Sequence, residues 1–587
     1  MPVSMSTSAN NHHDDIPVNG NTPTAEANIT KTTGASVIAR SLKLQGVTVV
    51  FGIVGIPVVE VAEACMEEGI QFVGFRNEQS ASYAASAWGY LSGRPGVCLV
   101  VSGPGVVHAL AGIVNAQVNN WPILVIGGSC ESFLEGAGAF QELNQVELCR
   151  PYTKFSARPP TIKHIPSFIE KGFRSTATGR PGPAYLDFPA NIIQGTVDED
   201  LDVSKHTSFW KPSFYQADPH DIFNAARLIS EAKRPLAIIG KGASYSRGEN
   251  EIRKFIEQYK IPFLPTPMGK GVVPDSHPLC VAAARSMALA QSDVIILLGA
   301  RVNWILHFGL RFDSEAKVIQ VDVAGEEIGT NRHVDVPLIG HLPLVVQQLL
   351  STPEAEATSP QVIEERDQFV KKLGAKIKTN IDKLAVKFTS QALPMTYHRA
   401  FAEIRSRLPE DNSTVVVSEG ANTMDIARSV FDFDLPRQRL DAGTFATMGV
   451  GLGFAIAAQI YYGQSKRVIG IVGDSAFGFS ALELETAARA KLPLIMIIIN
   501  NNGIYHGLDE NQYQALASDR KLPSTALLPD VRYEMIAEAV GGVGYLVRTP
   551  EDLAGAFEAS LKETEKISVI NCLIQPGGPQ KLVSVNC

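Results

Sequence analysis

The sequence predicts an α/β protein made of three doubly wound parallel-sheet domains. Three observations predict it. Short apolar runs of strand length recur along the chain, each followed by a Gly- or Ser-rich turn and then a stretch of helical period. The runs are continuous rather than alternating, as in Val468-Ile469-Gly470-Ile471-Val472 and Leu494-Ile495-Met496-Ile497-Ile498-Ile499, which marks strands covered on both faces. The rhythm falls into three blocks, and 587 residues are enough for roughly three or four domains.

Residues 1–30 are polar, rich in Asn, Ser and Thr, and read as a disordered tail. They lack the apolar core of a signal peptide and the Arg bias of a transit peptide. His12-His13-Asp14-Asp15 could chelate a metal, but composition favours a solvated tail. The first block, 31–200, contains strands at 97–101 and 123–126. The stretch 195–218, with charge, Trp and Pro but no period, reads as a linker. The second block, 215–350, has strands at 235–239 and 293–298. A second linker, 350–388, opens on Thr352-Pro353-Glu354-Ala355 and continues as charged helical sequence. The third block, 385–575, holds the strands at 414–417, 467–472 and 494–499, and 576–587 form a tail. The closing Ser584-Val585-Asn586-Cys587 is not a Ser-Lys-Leu peroxisomal address, so a cytoplasmic protein is expected.

The composition narrows the function classes. A net charge of −8 and a pI near 5.9 argue against a protein that tracks nucleic-acid phosphates. No apolar run approaches the ~20 residues of a membrane span. The seven Cys form no C-x-x-C pair and read as buried thiols in a reducing compartment.

The most informative stretch lies in the third block. Gly473-Asp474-Ser475-Ala476-Phe477-Gly478 follows one strand and Asn500-Asn501-Asn502-Gly503 follows the next. In parallel neighbours, Asp474 and Asn501 would share the carboxyl edge of the sheet, where open α/β folds bind ligands. One charged and several neutral oxygens suit a hard cation such as Mg²⁺, and the amides after Asp474 suit a phosphate. Ser418-Glu419-Gly420-Ala421-Asn422 is a second phosphate-type turn, with Asn422 as a simple N-cap the competing reading. Met448, in Thr447-Met448-Gly449-Val450-Gly451-Leu452-Gly453, could be plain core packing.

In the first block, Glu78 leads straight into a small-residue helix. Buried, it would be an acid suited to holding or donating a proton; at the surface, it would merely favour the helix dipole. In the second block, Lys241 follows one strand, Arg301 another, and Asp322 ends a third. That Rossmann-like edge could bind a nucleotide or be an empty spacer.

These motifs, in this order, resemble the thiamine-diphosphate enzymes of the acetolactate synthase and pyruvate oxidase superfamily. Within it, the chain looks most like the 2-hydroxyacyl-CoA lyases, with oxalyl-CoA decarboxylases close behind. The resemblance spans about 31–575 and rests on the segments 51–58, Arg76-Asn77-Glu78-Gln79, Ser102-Gly103-Pro104-Gly105 with His108, 152–158, 473–480 and Asn501-Asn502-Gly503-Ile504-Tyr505. It implies that the three blocks are pyrimidine-binding, middle and diphosphate-binding domains. It further implies that Asp474, Asn501 and the Gly503 carbonyl hold Mg²⁺, and that Ala421, Asn422, Ser475, Ala476 and Ile504 contact the cofactor. Met448 would enforce the bent cofactor conformation, and Glu78 would bond its aminopyrimidine.

Tyr505 and Gln141 would lie near the reacting carbon, or serve as packing. Arg285 and Arg428 are candidates for coenzyme A phosphates, and Arg158, Lys241, Arg301 and Asp322 for a regulatory ADP. The implied reaction cleaves a 2-hydroxyacyl-CoA to an aldehyde and formyl-CoA through a thiamine diphosphate carbanion. The alternatives are decarboxylation of oxalyl-CoA and, behind it, an acetolactate-synthase-type ligation. The active site would lie between two chains of a homodimer or homotetramer, and many eukaryotic relatives are peroxisomal.

Overall fold

The computed structural model describes residues 31–197, 201–208, 214–353 and 358–577. The expectations for the tail 1–30, for His12-His13-Asp14-Asp15 and for the end beyond 577 lie outside the described residues. So do those for 198–200, 209–213 and 354–357.

Three parallel sheets form along the chain. In the first, β1 (Val49–Gly52), β2 (Gln71–Gly74), β3 (Gly96–Val100), β4 (Ile123–Ser129), β5 (Phe155–Ala157) and β6 (Pro183–Pro189) lie in the order β2-β1-β3-β4-β6-β5. In the second, β7 (Pro235–Ile239), β8 (Phe263–Pro265), β9 (Val294–Leu298), β10 (Lys317–Asp322) and β11 (Val336–Ile339) lie in the order β8-β7-β9-β10-β11. In the third, β12 (Thr414–Glu419), β13 (Arg439–Asp441), β14 (Arg467–Gly473), β15 (Ile495–Asn500), β16 (Val543–Val547) and β17 (Ser568–Leu573) lie in the order β13-β12-β14-β15-β17-β16. The central strands are buried end to end, as their continuous apolar runs require. Much of the second linker is one helix of 29 residues, Pro360–Phe388.

Three further helices position the site. They are α1 (Glu78–Ser92), α2 (Pro104–Asn119) and α3 (Val450–Tyr462). α1 is rich in Ala and Ser and α3 in Ala and Gly, and both are buried nearly all round, so they lack an amphipathic stripe. Small residues let them approach closely. A Cβ at Gly453 of α3 would lie 2.7 Å from the Ser80 carbonyl oxygen of α1. A Cβ at Gly112 of α2 would lie 2.1 Å from Ser82 Oγ. One core thus runs from the first sheet across α1 and α3 into the third. Among the described residues no helix is long and apolar enough to cross a membrane.

Candidate active site

The first half of the site is built on the third sheet. Strands β14 and β15 pair in parallel with Gly473 opposite Ile499, so Asp474 lies beside the turn that carries Asn501. Asp474 is 2% exposed. Its Oδ1 accepts the Ser475 amide at 2.8 Å and its Oδ2 accepts the Gly503 amide at 3.0 Å. No ion pair to it exists among the described residues. Burial pushes its carboxyl up to about 6, although those amides pull the other way. A buried carboxylate held by amides, with no ion pair among the described residues, has the chemistry of a hard-cation ligand.

The three consecutive Asn divide their roles. Asn500 bonds Asn571 within the sheet. Asn502 has φ 61° and is pinned by Leu508 and Asp530. Asn501 donates through Nδ2, to Tyr505 O at 3.2 Å and Pro576 O at 3.5 Å, which leaves Oδ1 for a ligand. A carboxylate, a carboxamide oxygen and a nearby carbonyl fit a hard divalent cation.

The second turn stands next door, because β12 pairs with β14. Gly420 has φ 94°, and it, not Asn422, occupies the cap position of the helix Ala421–Val430. The simple N-cap reading of Asn422 is therefore replaced. Its Nδ2 donates to Tyr505 O at 2.8 Å, tying the two turns together. Met448 is half-buried and is not plain core; the Ser475 hydroxyl lies 3.3 Å from its sulfur. Tyr505 has φ 72°, a strained backbone held by the carboxamides of Asn422 and Asn501. Ala476 is buried and Ile504 is 40% exposed at the rim.

The second half lies on the first sheet. Asn77 caps α1, and Glu78 is its first residue, with a side chain 13% exposed. Its Oε2 lies 3.1 Å from His108 Nδ1. Gln141 has φ 57°, and its Oε1 accepts from Ser102 Oγ at 3.0 Å, in the turn before α2. No hydrogen bond or ion pair among the described residues joins Glu78 or His108 to Asp474, Asn422, Asn501 or Tyr505.

The nucleotide candidates separate. Lys241, Arg301 and Asp322 line one cavity of about 830 Å³, floored by the second sheet and closed by residues of the other two blocks, Asn119 at the end of α2 and Asp441 at the end of β13 among them. Lys241 donates to Asn119 Oδ1 at 2.6 Å. Burial holds its ammonium well below the usual range, and neighbouring Arg301 adds to this. Burial likewise lowers Arg301 and raises Asp322. Arg158 is not in this lining; it pairs with Asp187 at 2.5 Å and with Glu135, and Arg180 takes its expected place. Arg285 donates to the Ile305 carbonyl. Arg428 pairs with Asp425 at 2.7 Å and Asp441 at 3.1 Å and is only 9% exposed. Two carboxylates already engage its guanidinium, which places it as an internal pin rather than a contact for coenzyme A phosphates.

Sequence reasoning missed Glu419, the last residue of β12. It is fully buried, and its carboxyl accepts the Gly449 amide and, at 2.8 Å, the Gly451 amide at the start of α3. It also passed over Tyr397 and Tyr533, whose hydroxyls are raised by burial and by nearby Asp474. Nothing in the local sequence marks them, since their distance along the chain hides the contact.

Comparison with known proteins identifies the three blocks. Residues 32–148 match the thiamine pyrophosphate enzyme N-terminal TPP binding domain, 222–349 the central domain and 419–572 the C-terminal TPP binding domain. Two of the three matched domains are thiamine-pyrophosphate-binding, so thiamine diphosphate is the cofactor. The chain is 50% identical to 2-hydroxyacyl-CoA lyase 1 of Homo sapiens over 566 residues, 95% of this chain and 97% of that one. It is also 50% identical to 2-hydroxyacyl-CoA lyase 1 of Mus musculus over 559 residues, 93% of this chain and 95% of that one. To oxalyl-CoA decarboxylase of Escherichia coli (strain K12) it is 38% identical over 551 residues, 93% and 95% of the two chains. With all three domains matched and these identities over more than nine-tenths of its length, the chain belongs to the thiamine pyrophosphate enzymes, in the family that holds the 2-hydroxyacyl-CoA lyases and oxalyl-CoA decarboxylases.

Proposed function

We propose that the protein cleaves a 2-hydroxyacyl-CoA into an aldehyde and formyl-CoA, with thiamine diphosphate and Mg²⁺ at a site shared by two copies of the chain. The observation that carries the reading is the buried Asp474 carboxylate, without a cationic partner among the described residues, beside the Asn501 carboxamide oxygen. The greater identity to lyases than to a decarboxylase supports the substrate class.

Asp474, Asn501 Oδ1 and the Gly503 carbonyl would hold Mg²⁺. Ala421, Asn422, Ser475, Ala476 and Ile504 would line the cofactor, and Met448 would support its bent form. Thiamine diphosphate supplies the nucleophilic carbon and the electron sink. Glu78, from the other chain, would meet the aminopyrimidine nitrogen and hold the proton there. Tyr505 and Gln141 would flank the reacting carbon.

A partner copy is favoured by the lack of any hydrogen bond or ion pair joining Glu78 to Asp474 among the described residues and by exposed apolar side chains, Ile56 at 77%, Phe140 at 81%, Phe479 at 57% and Leu482 at 65%. A homodimer or homotetramer satisfies both. The second cavity, with Lys241, Arg301 and Asp322, would take ADP as a regulatory ligand. Of the coenzyme A candidates Arg285 remains, and the compartment is proposed as cytoplasmic, with the peroxisome as the alternative.

The test supplies purified protein with Mg²⁺, thiamine diphosphate and a 2-hydroxyacyl-CoA or oxalyl-CoA, and measures formyl-CoA by mass spectrometry. Formyl-CoA and aldehyde from the hydroxyacyl substrate are expected. Turnover of oxalyl-CoA alone would move the protein to the decarboxylases, acetolactate from pyruvate would move it to the ligases, and formyl-CoA from neither thioester overturns the reading.

A further inference from the structure

His108 is the one polar side chain that touches the Glu78 carboxylate among the described residues. The contact is set by helix packing. Gly112 of α2 lies against Ser82 of α1 so tightly that a Cβ there would sit 2.4 Å from Ser82 Cβ and 2.8 Å from its carbonyl carbon. The two helices follow successive parallel strands and run in the same direction. One turn toward the N-terminus from that contact, residue 112 leads to 108 and residue 82 leads to 78. The close approach at Gly112 therefore fixes the height at which imidazole and carboxylate meet, and the 3.1 Å Nδ1–Oε2 contact follows.

The other carboxylate oxygen, Oε1, faces the first turn of α2. Gly105 stands there, and a Cβ on it would lie 3.5 Å from Glu78 Oε1. Among the described residues, Oε2 is engaged by His108 and Oε1 has no hydrogen-bond partner. A carboxylate oxygen accepts, so in this pairing Nδ1 carries the hydrogen that is donated.

We propose that His108 is a positioning residue for Glu78: its Nδ1–H clamps Oε2, holds the carboxylate in one rotamer and presents Oε1 to the nitrogen that Glu78 must reach. This rests on the reading that Glu78 serves the aminopyrimidine of thiamine diphosphate. An unclamped Glu at the first turn of a helix would sample several rotamers and give up the productive one for most of the time.

The test needs no acyl-CoA. Enzyme loaded with Mg²⁺ and thiamine diphosphate is placed in D₂O, and exchange of the cofactor C2 proton is followed by quenched NMR. Cofactor Kd is measured alongside, by quenching of tryptophan fluorescence. His108→Leu removes the donor, whereas His108→Asn places an amide N–H near the position of Nδ1. Loss of a hydrogen bond to a charged group predicts exchange slowed about tenfold to a hundredfold in the Leu variant. Kd should stay within about threefold, and the Asn variant should recover to within about threefold of the native rate.

Exchange at the native rate in the Leu variant overturns the proposal. So does equal slowing in Leu and Asn, because the imidazole would then serve something other than this donor. Should Leu at 108 disrupt folding, His108→Ala takes its place on the same criteria. Glu78→Gln is the control: native exchange in that variant would overturn the role of Glu78 itself, and slow exchange there leaves His108 to be judged alone. Formyl-CoA production by the native enzyme is scored separately, so a failed substrate reading is distinguishable from a failed clamp.

Discussion

Replacing Glu419 by Gln tests how burial is balanced against hydrogen bonding at the base of the cofactor turn. Burial pushes the Glu419 carboxyl up from its ordinary 4.5 to about 7, against the pull of the Gly449, Gly451 and Val450 amides. A raised carboxyl means that the native state keeps a proton which the unfolded chain releases from about pH 4.5 upward. Stability from this group is therefore greatest below pH 4.5, falls as pH rises to 7 and levels off above that. At 1.36 kcal/mol per pH unit the loss is about 3 kcal/mol.

Gln cannot titrate. It sets an N–H against one of the amides, at a cost of about 1–3 kcal/mol that does not change with pH. The native-minus-variant stability should therefore shrink by about 3 kcal/mol between pH 4.5 and 7. A three-block chain does not unfold in one step, so the readout is the difference in apparent Tm of paired scans across that range. For a unit of the third block's size the difference should fall by about 6–12 °C. A flat difference, or one that grows with pH, would refute the reasoning, because the amides at the start of α3 would then outweigh the lost hydration.

Other substitutions probe the remaining elements. Glu78→Gln should cut formyl-CoA formation by about 10²–10⁴ while far-ultraviolet circular dichroism stays native. Thiamine diphosphate with Mg²⁺ at about 100 times Kd should stabilise the native protein by about 2.7 kcal/mol, and chelating the metal or introducing Asp474→Ala should abolish that gain in thermal scans. Gly112→Ala should cost about 1–3 kcal/mol, seen as a lowered Tm, because its methyl would sit 2.1 Å from Ser82 Oγ. Lys241→Met should weaken ADP binding at least tenfold by calorimetry and leave the Kd of thiamine diphosphate unchanged.

The fold was legible because its strands are buried on both faces. The runs at 235–239 and 467–472 read as strands without ambiguity, and the structure has them at Pro235–Ile239 and Arg467–Gly473. Asp474 and Asn501 were legible as neighbours for the same reason, since each follows such a strand. The roles within Asn500-Asn501-Asn502 were not, because only tertiary partners separate a sheet pin and a turn pin from the open oxygen. Glu419 was hidden in the same way. It reads as one more polar residue in a turn, and its burial arises only when α3 packs over it. The pair Glu78–His108 depends on a helix contact at Gly112, and a glycine in a helix gives no sign of what it faces. The ion pairs of Arg158 with Asp187 and of Arg428 with Asp441 were not legible, because these partners are brought together only by the fold.

The absence of any hydrogen bond or ion pair between Glu78 and Asp474 among the described residues, read as a site shared by two chains, has a genetic consequence. On the cross-chain reading, a chain defective at 78 and a chain defective at 474 are each inactive alone. Mixed, they assemble one intact site in every mixed dimer, and random pairing restores about a quarter of the native sites. Two recessive alleles of this protein would then complement each other within the same locus. A heterozygote carrying both could be healthy although each parent's allele encodes an inactive enzyme.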